Sequence, residues 1–180
     1  LTLRPRFNNP GKAPDIHVLP VGNAGNISAY WKGFVEYHQS GDAASRPQMW
    51  GFQAAGAAPI VRGEVVTNPE TVATAIRIGS PASWTLAENA RDESGGRIDA
   101  VTDEQILDAQ RDLGRHEGIF VEPASAAGVA GLLAAVAAGE VPKGQTITIT
   151  VTGHGVKDID TPLSRIESVV DKVVDADVHA

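Results

Sequence analysis

The stretch "LPVGNAGNISAYW", from Leu19 to Trp31, indicates the fold of this chain more clearly than any other. It begins within an apolar run, "DIHVLPVG", that is typical of a buried strand. It ends in a run that predicts an amphipathic helix, because apolar side chains recur at helical spacing, at Ile27, Tyr30, Trp31, Phe34 and Tyr37. Residues 22–26, Gly-Asn-Ala-Gly-Asn, therefore form a loop that leaves a strand and opens a helix.

A loop in this position suits a phosphate. Several backbone N–H groups and the positive end of a helix dipole would face the same small space. Gly22 and Gly25 would let the backbone approach an anion closely, and Asn23 and Asn26 can add amide donors. The alternative is that these residues only make a tight turn and cap the helix. The pattern is neither G-x-G-x-x-G nor G-x-x-x-x-G-K-[ST], so a dinucleotide or P-loop nucleotide is not favoured.

The rest of the chain alternates strand-like and helix-like segments. Further strands are predicted in "PQMWGFQAAGA" (47–57) and "QTITITVTGHG" (145–155), with a β-like run at "GIFVE" (118–122). Start and stop signals predict helices in "TNPETVATAI" (67–76), in "SWTLAENARDESGG" (83–96), after the Thr102–Gln105 capping box, and from Pro123 to Gly139. This alternation predicts an open, largely parallel α/β sheet flanked by helices, with ligands at the carboxyl ends of the strands.

Composition excludes several functions. The 180 residues carry a net charge of -7 and are 42% hydrophobic, which suits one substantial core. With a pI of about 5.1 and no basic block, we expect no nucleic-acid partner. There is no cysteine, and the histidines show no two-His ligand spacing, so we expect no metal. The longest small-apolar run, 124–138, is too short to span a bilayer, and we expect a cytoplasmic protein without membrane contact.

Three stretches in order, "LPVGNAGNISAYWKG", "GIFVEPASAAGVAGLL" and "VTGHGVKD", closely resemble the carboxyl-terminal half of threonine synthases. These are pyridoxal-phosphate enzymes of the tryptophan-synthase-β-like fold, also called fold type II. The resemblance covers roughly 14–162. We therefore expect a cofactor-binding α/β domain at 14–165, an irregular amino-terminal segment at 1–13 and a tail at 166–180.

The resemblance implies a role for six residues. The backbone of the loop would bind the cofactor phosphate through Gly22, Asn23, Ala24, Gly25 and Asn26, and Thr152 would face the pyridine nitrogen. A neutral hydroxyl, unlike a carboxylate, does not hold a proton on that nitrogen, so the ring would be a moderate electron sink. The implied reaction converts O-phosphohomoserine and water to L-threonine and phosphate, in a homodimer.

The family also needs a lysine that forms a Schiff base with the cofactor. The resemblance places that lysine in the half that precedes the loop, and Lys12, the one lysine there, lies in "NPGKAP", which does not match the motif. We therefore expect a partial chain, inactive without its amino-terminal half. The alternatives are another pyridoxal-phosphate enzyme that eliminates or replaces at the β-carbon, such as a threonine dehydratase, and a standalone phosphate- or metabolite-binding domain.

Other polar residues near these motifs have competing interpretations. Lys157 is expected to be a solvated turn lysine, and His154 a loop histidine bonded to backbone. Glu122 could orient the backbone of the site or be a surface carboxylate at a strand end. The hydroxyl of Ser125 could serve a ligand, although a helix cap is favoured. The segment 79–84, with Ser80, Ser83 and Trp84, could border the substrate or be a packed loop.

Overall fold

The computed structural model describes residues 11–165, and the expectations for 1–10 and 166–180 fall outside that range. Four strands are present in this part of the chain: Ile16–Pro20 (β1), Gln48–Ala54 (β2), Arg97–Val101 (β3) and Ile147–Ile149 (β4). They form one sheet in the order β3-β2-β1-β4, and each neighbouring pair is parallel. The predicted parallel sheet is therefore confirmed.

Helices cover both faces of the sheet. The α-helices in the described range are Gly25–Gln39 (α1), Pro59–Arg62 (α2), Trp84–Ser94 (α3), Asp103–Asp112 (α4), Pro123–Ala137 (α5) and Asp160–Leu163 (α6). One hydrophobic cluster joins α1 and α3 to one face of the sheet, and a second joins α4 and α5 to the other. No helix within residues 11–165 has the length and apolar character needed to cross a bilayer.

The central strand β1 is buried along its whole length, as expected for a parallel strand covered on both faces. Val18 points into the cluster on the α5 side, and Leu19 into the cluster on the α1 and α3 side. This burial fixes the height at which β1 ends, and with it the position of the loop that follows.

The alanine- and glycine-rich helix α5 lies very close to the sheet. A Cβ at Gly131 would lie 2.1 Å from the ring of Phe52, and one at Gly128 would lie 3.4 Å from the side chain of Val18. The small side chains of α5 thus allow its close packing against the sheet. The close approach matters for the site, because the first turn of α5 lies beside the carboxyl edge of the sheet.

The helix predicted over 67–76 is wrong, since only Thr74–Ile76 form a short 3-10 turn there. The N–H of Val72 donates to Asp103 Oδ2 at 3.1 Å, and the hydroxyl of Thr71 donates to the other oxygen of that carboxylate. Partners from another element therefore take the backbone and side-chain donors of this segment. Tertiary contacts override a local start signal here.

Two smaller features also differ from expectation. The sequence analysis missed β3, in which only Ile98 and Val101 are buried, so the apolar signal of the strand is weak. The run 118–122 is not a strand, because it makes one isolated antiparallel bridge, from Val121 to His154. Pro123 starts α5 immediately afterwards and leaves no room for a longer ladder.

Candidate functional site

A cavity of about 290 Å³ opens at the carboxyl edge of the sheet. Since β1 and β4 are parallel neighbours, the loops that follow both strands meet at this edge. The volume is near the lower end of the range of about 300–1,000 Å³ that is usual for small-molecule sites. All six residues predicted from the sequence line this cavity, whose lining comprises Pro20, Gly22, Asn23, Ala24, Gly25, Asn26, Ala75, Ile76, Ala124 and Thr152.

Residues 22–26, here called the loop wall, present backbone rather than charge to the cavity. Ala24 adopts φ 65°, and among residues 11–165 it is the one non-glycine residue with a positive φ. No side chain caps α1, and its first turn holds no acidic residue. The N–H groups of Ile27 and Ser28 already donate, to Asn26 Oδ1 and to the carbonyl of Ala24. Those of Gly25 and Asn26, with the positive helix end, are therefore the donors of the first turn that are available to an anion.

The side chains of the two asparagines stabilise the loop wall itself. Asn26 donates from Nδ2 to the carbonyl of Pro20 at 2.7 Å and accepts at Oδ1 from the N–H of Ile27 at 2.8 Å. Asn23 accepts at Oδ1 from the N–H of Ala82 at 2.8 Å. Both asparagine side chains thus hold the loop in place, and its backbone N–H groups are the main donors left for an anion.

The segment 79–84 is packed against the loop wall. Besides the contact at Ala82, the N–H of Ser83 donates to the carbonyl of Asn23 at 3.3 Å. No residue of this segment lines the cavity. The segment therefore packs beside the cavity, next to Asn23, and is not part of its lining.

The two glycines of the loop wall have different surroundings. A Cβ at Gly22 would lie 2.9 Å from the Cα of Ile76, so the backbone of the 3-10 turn approaches it too closely for any side chain. A Cβ at Gly25 would meet nothing within 4 Å. Gly22 therefore serves packing, whereas Gly25 leaves space open at the cavity.

Thr152 is held by the side chain of Ser125 in α5. We call the assembly around it the threonine wall: Thr152, Gly153, Ser125, Glu122 and Lys157. Ser125 is fully buried, and its Oγ accepts from the N–H groups of Thr152 at 3.0 Å and Gly153 at 2.6 Å. The same oxygen lies 2.8 Å from Thr152 Oγ1. The cap expected for Ser125 is wrong, because its hydroxyl bonds the loop after β4 instead of its own helix.

Glu122 and Lys157 close the back of the threonine wall. Glu122 is 6% exposed, so it is not a surface carboxylate, and its N–H donates to the carbonyl of Gly153 at 3.0 Å. A Cβ at Gly153 would lie 2.0 Å from Glu122 Oε1, so any larger residue there would displace this carboxylate. Lys157 Nζ lies 2.9 Å from Glu122 Oε2, and its side chain is 58% exposed, so it is the solvated turn lysine that was expected and is also ion-paired. The pair holds the backbone that carries Thr152.

The other titratable side chains near the cavity do not enter it. His154 accepts at Nδ1 from the N–H of Val156 at 3.2 Å, which confirms the expected bond to backbone. None of the lysines in the described part of the chain lines the cavity. Within residues 11–165, no group of His, Asp and Glu side chains is arranged to hold a metal ion.

Sequence reasoning missed the apolar part of the lining. Ala75 and Ile76 belong to the segment expected to be a helix, and Ala124 lies in the first turn of α5. These small apolar side chains carry no chemical signal of their own. They reach the cavity only through tertiary packing.

The fold and the cavity together define a parallel α/β domain with a small-ligand site at the carboxyl edge of its sheet, where a helix amino terminus and a hydroxyl meet. Residues 7–153 match the family model described as "Pyridoxal-phosphate dependent enzyme". The chain belongs to this family of pyridoxal-phosphate dependent enzymes.

Individual proteins of this family are highly similar to the chain in sequence. Threonine synthase of Mycobacterium bovis is 60% identical over 165 residues, which are 92% of this chain and 46% of that protein. Threonine synthase of Halalkalibacterium halodurans is 57% identical over 157 residues, 87% of this chain and 44% of that protein. These similarities confirm the resemblance to threonine synthases. The chain spans about half the length of the curated relatives it matches.

A solved structure supports the fold separately. Maize serine racemase superimposes with a TM-score of 0.63 over 84% of this chain and 46% of that chain, at 21% identity. At this identity the match speaks for the architecture alone. It agrees with the expected fold type II arrangement.

Proposed function

We propose that this chain supplies the phosphate site and the ring-nitrogen contact for pyridoxal phosphate in a threonine synthase. The complete protein would convert O-phosphohomoserine and water to L-threonine and phosphate. The observation that carries the proposal is that the loop wall and Thr152 line the same cavity. Threonine synthases that are 60% identical to this chain also favour the proposal. The residues present fit the cofactor, since free N–H groups suit its phosphate and a hydroxyl suits its ring nitrogen.

Each wall has a separate task in this proposal. The loop wall binds the phosphate through backbone N–H groups at the start of α1, and the open space at Gly25 admits the anion. Thr152 hydrogen-bonds the ring nitrogen without adding a charge. The bound cofactor supplies an electron sink for the substrate's α-carbon, and a neutral partner at its nitrogen keeps that sink moderate.

The remaining catalytic groups belong to other parts of the complete protein in this proposal. No lysine of residues 11–165 lines the cavity, so the cofactor-linking lysine would come from sequence that precedes the loop. The 180-residue chain alone would then make no threonine. The family resemblance also leads us to propose a cytoplasmic homodimer.

The test of the site is Gly25→Ala in the full-length protein that contains this chain. The added methyl group meets no protein atom within 4 Å, and Gly25 lines the cavity proposed for the phosphate. We expect the dissociation constant for pyridoxal phosphate, measured by fluorescence titration, to rise about 10-fold or more, because overpacking costs about 1–3 kcal/mol.

Gly114→Ala is the matched control. Gly114 also has nothing within 4 Å of an added Cβ, but it lies in the π-helix Leu113–Glu117 that follows α4 and does not line the cavity. Neither variant should lower the melting temperature of the cofactor-free protein, because alanine suits a helical position at least as well as glycine. Unchanged affinity in Gly25→Ala would contradict the proposed phosphate site.

The substrate is tested separately. The full-length protein should release phosphate and form threonine from O-phosphohomoserine, and should not deaminate threonine at a comparable rate. The opposite preference would favour the threonine dehydratase alternative. The cofactor site would then stand, and the proposed reaction would be rejected.

A further inference from the structure

The hydroxyl of Ser125 has an unusually complete set of partners. Its Oγ accepts from two backbone N–H groups, those of Thr152 at 3.0 Å and Gly153 at 2.6 Å. It also lies 3.1 Å from the carbonyl of Gly153 and 2.8 Å from Thr152 Oγ1. A hydroxyl has one proton to donate and two lone pairs with which to accept.

Counting protons assigns the direction of the bond between the two side chains. The two N–H groups occupy both lone pairs of Ser125 Oγ. Ser125 therefore cannot accept the hydroxyl proton of Thr152, and it donates its own proton to Thr152 Oγ1, because two oxygens 2.8 Å apart with no proton between them would repel. Among residues 11–165, no other acceptor lies within hydrogen-bond distance of that Thr152 proton, so it is left for a ligand in the cavity.

We infer that Ser125 is a positioning residue that makes Thr152 a hydrogen-bond donor toward its ligand. This inference rests on the proposed function, in which that ligand is the ring nitrogen of pyridoxal phosphate. A donor hydroxyl is satisfied by an unprotonated pyridine nitrogen, which accepts. A protonated nitrogen would compete as a second donor and would leave the Thr152 proton without an acceptor. Ser125 thereby favours the unprotonated cofactor ring by orienting Thr152, and it does not contact the ring itself.

The burial of Ser125 keeps the hydroxyl of Thr152 in this donor orientation. Ser125 has no exposed surface, so no water can replace its partners without opening the first turn of α5. Glu122 and Lys157 fix the same backbone from behind, through the bond to the Gly153 carbonyl and the ion pair. The hydroxyl of Thr152 is consequently held in one orientation before a ligand arrives.

The test is Ser125→Ala in the full-length protein loaded with pyridoxal phosphate that carries a nitrogen-15 label in its ring. The nitrogen resonance of the wild type should have the position of an unprotonated, hydrogen-bonded pyridine. It should not move on titration across neutral pH, because the donor hydroxyl of Thr152 disfavours the protonated ring. In Ser125→Ala the resonance should move toward that of Thr152→Val. The cofactor dissociation constant should rise about 3–10-fold, the usual worth of one hydrogen bond.

The double variant separates positioning from simple loss of structure. If Ser125 acts through Thr152, Ser125→Ala should not shift the resonance further, or weaken cofactor binding further, in a Thr152→Val background. Effects that add in the double variant would overturn the inference. Ser125→Cys provides a second probe of nearly the same volume, and its weak donor and acceptor should give an intermediate shift. An unshifted resonance in both single variants of Ser125 would also overturn it.

These outcomes are distinct from failure of the proposed function. A wild-type protein that does not bind the cofactor would reject the proposed function and this inference together. A wild-type protein that binds it with a protonated ring nitrogen would reject this inference alone. Catalytic activity is not needed for either decision.

Discussion

The loop wall and the threonine wall face one cavity but are built differently. The loop wall consists of consecutive residues, and its shape comes from backbone geometry and from asparagine side chains that bond within or beside the loop. The threonine wall gathers positions from α5 and from the loop after β4, and its shape comes from a buried hydroxyl and an ion pair. A site for an anion and a site for a ring nitrogen can therefore have different physical origins within one domain.

This difference determines what each wall tolerates. Backbone donors survive changes of side chain as long as the glycines and the turn remain. A wall made of side-chain bonds depends on each partner, because a buried polar group that loses its partner costs about 1–3 kcal/mol. Three substitutions test this contrast between the two walls. They change a strand beneath the walls, the loop wall itself, and the left-handed residue of the loop wall.

The largest effect is expected at His17, which joins the strands beneath the two walls. On β1, His17 bonds through Nδ1 to Thr148 Oγ1 at 2.7 Å and through Nε2 to Thr150 Oγ1 at 3.2 Å. Burial lowers the pKa of His17 from 6.5 to about 4, since the charged ring would lose its hydration. The unfolded chain then binds this proton at higher pH than the folded chain. Stability is full above pH 6.5 and falls as the pH drops toward 4, by up to about 3 kcal/mol.

The measurement is the urea midpoint of unfolding at several pH values between neutral and the lowered pKa of about 4. His17→Gln should lose this part of the pH dependence, even if its stability at neutral pH is lower. His38→Gln is the matched control, since His38 is exposed near the end of α1. Equal slopes for His17→Gln and the wild type would show that protonation of the buried ring does not distinguish the folded from the unfolded state.

A smaller effect is expected from Gly22→Ala in the loop wall. The new Cβ would lie 2.9 Å from the Cα of Ile76 and 3.2 Å from the carbonyl oxygen of Ala75, and backbone atoms cannot turn aside as a side-chain end can. We expect a loss of about 1–3 kcal/mol in the free energy of unfolding, measured by urea denaturation of the cofactor-free full-length protein. Gly25→Ala, in the same loop, should cost nothing measurable. Equal losses in both variants would mean that the turn at 74–76 does not hold the loop.

The sequence predicted most of the fold because most elements depend on local signals. The contrast between two capping-box spacings shows where this fails. Thr102 and Gln105 form the reciprocal bonds of the box at the start of α4, with Thr102 Oγ1 accepting at 3.2 Å and Gln105 Oε1 at 2.8 Å. Thr67 and Glu70 have the same spacing but start no helix. The N–H of Glu70 donates to the carbonyl of Gly56 at 3.1 Å, a partner that no local pattern contains.

The same limit applies to the candidate site. The loop wall could be predicted as a contiguous motif, and Thr152 from a second motif that resembles one family. Ser125 could not be assigned its role, because a serine early in a helix usually suggests a cap. Its bonds to the loop after β4 come from tertiary packing, in which Gly131 lets α5 lie close to the sheet. Partners brought together by packing are the part of the site that sequence reasoning did not reach.

The smallest effect is expected from Ala24→Gly, which tests the backbone origin of the loop wall. A left-handed conformation costs an L-residue about 1–2 kcal/mol, and a glycine at the same position avoids that cost. The greater conformational freedom of glycine in the unfolded chain offsets about 0.4–1 kcal/mol of this gain in stability. The methyl group of Ala24 is also buried, and its loss costs about 0.8 kcal/mol. With φ 65° at Ala24, the terms nearly cancel, and the variant should stay within about 0.5 kcal/mol of the wild type in urea denaturation. Ala29→Gly, inside α1, should instead lose about 1 kcal/mol. Equal losses in the two variants would contradict the left-handed turn, and with it the arrangement that directs the first N–H groups of α1 toward the cavity.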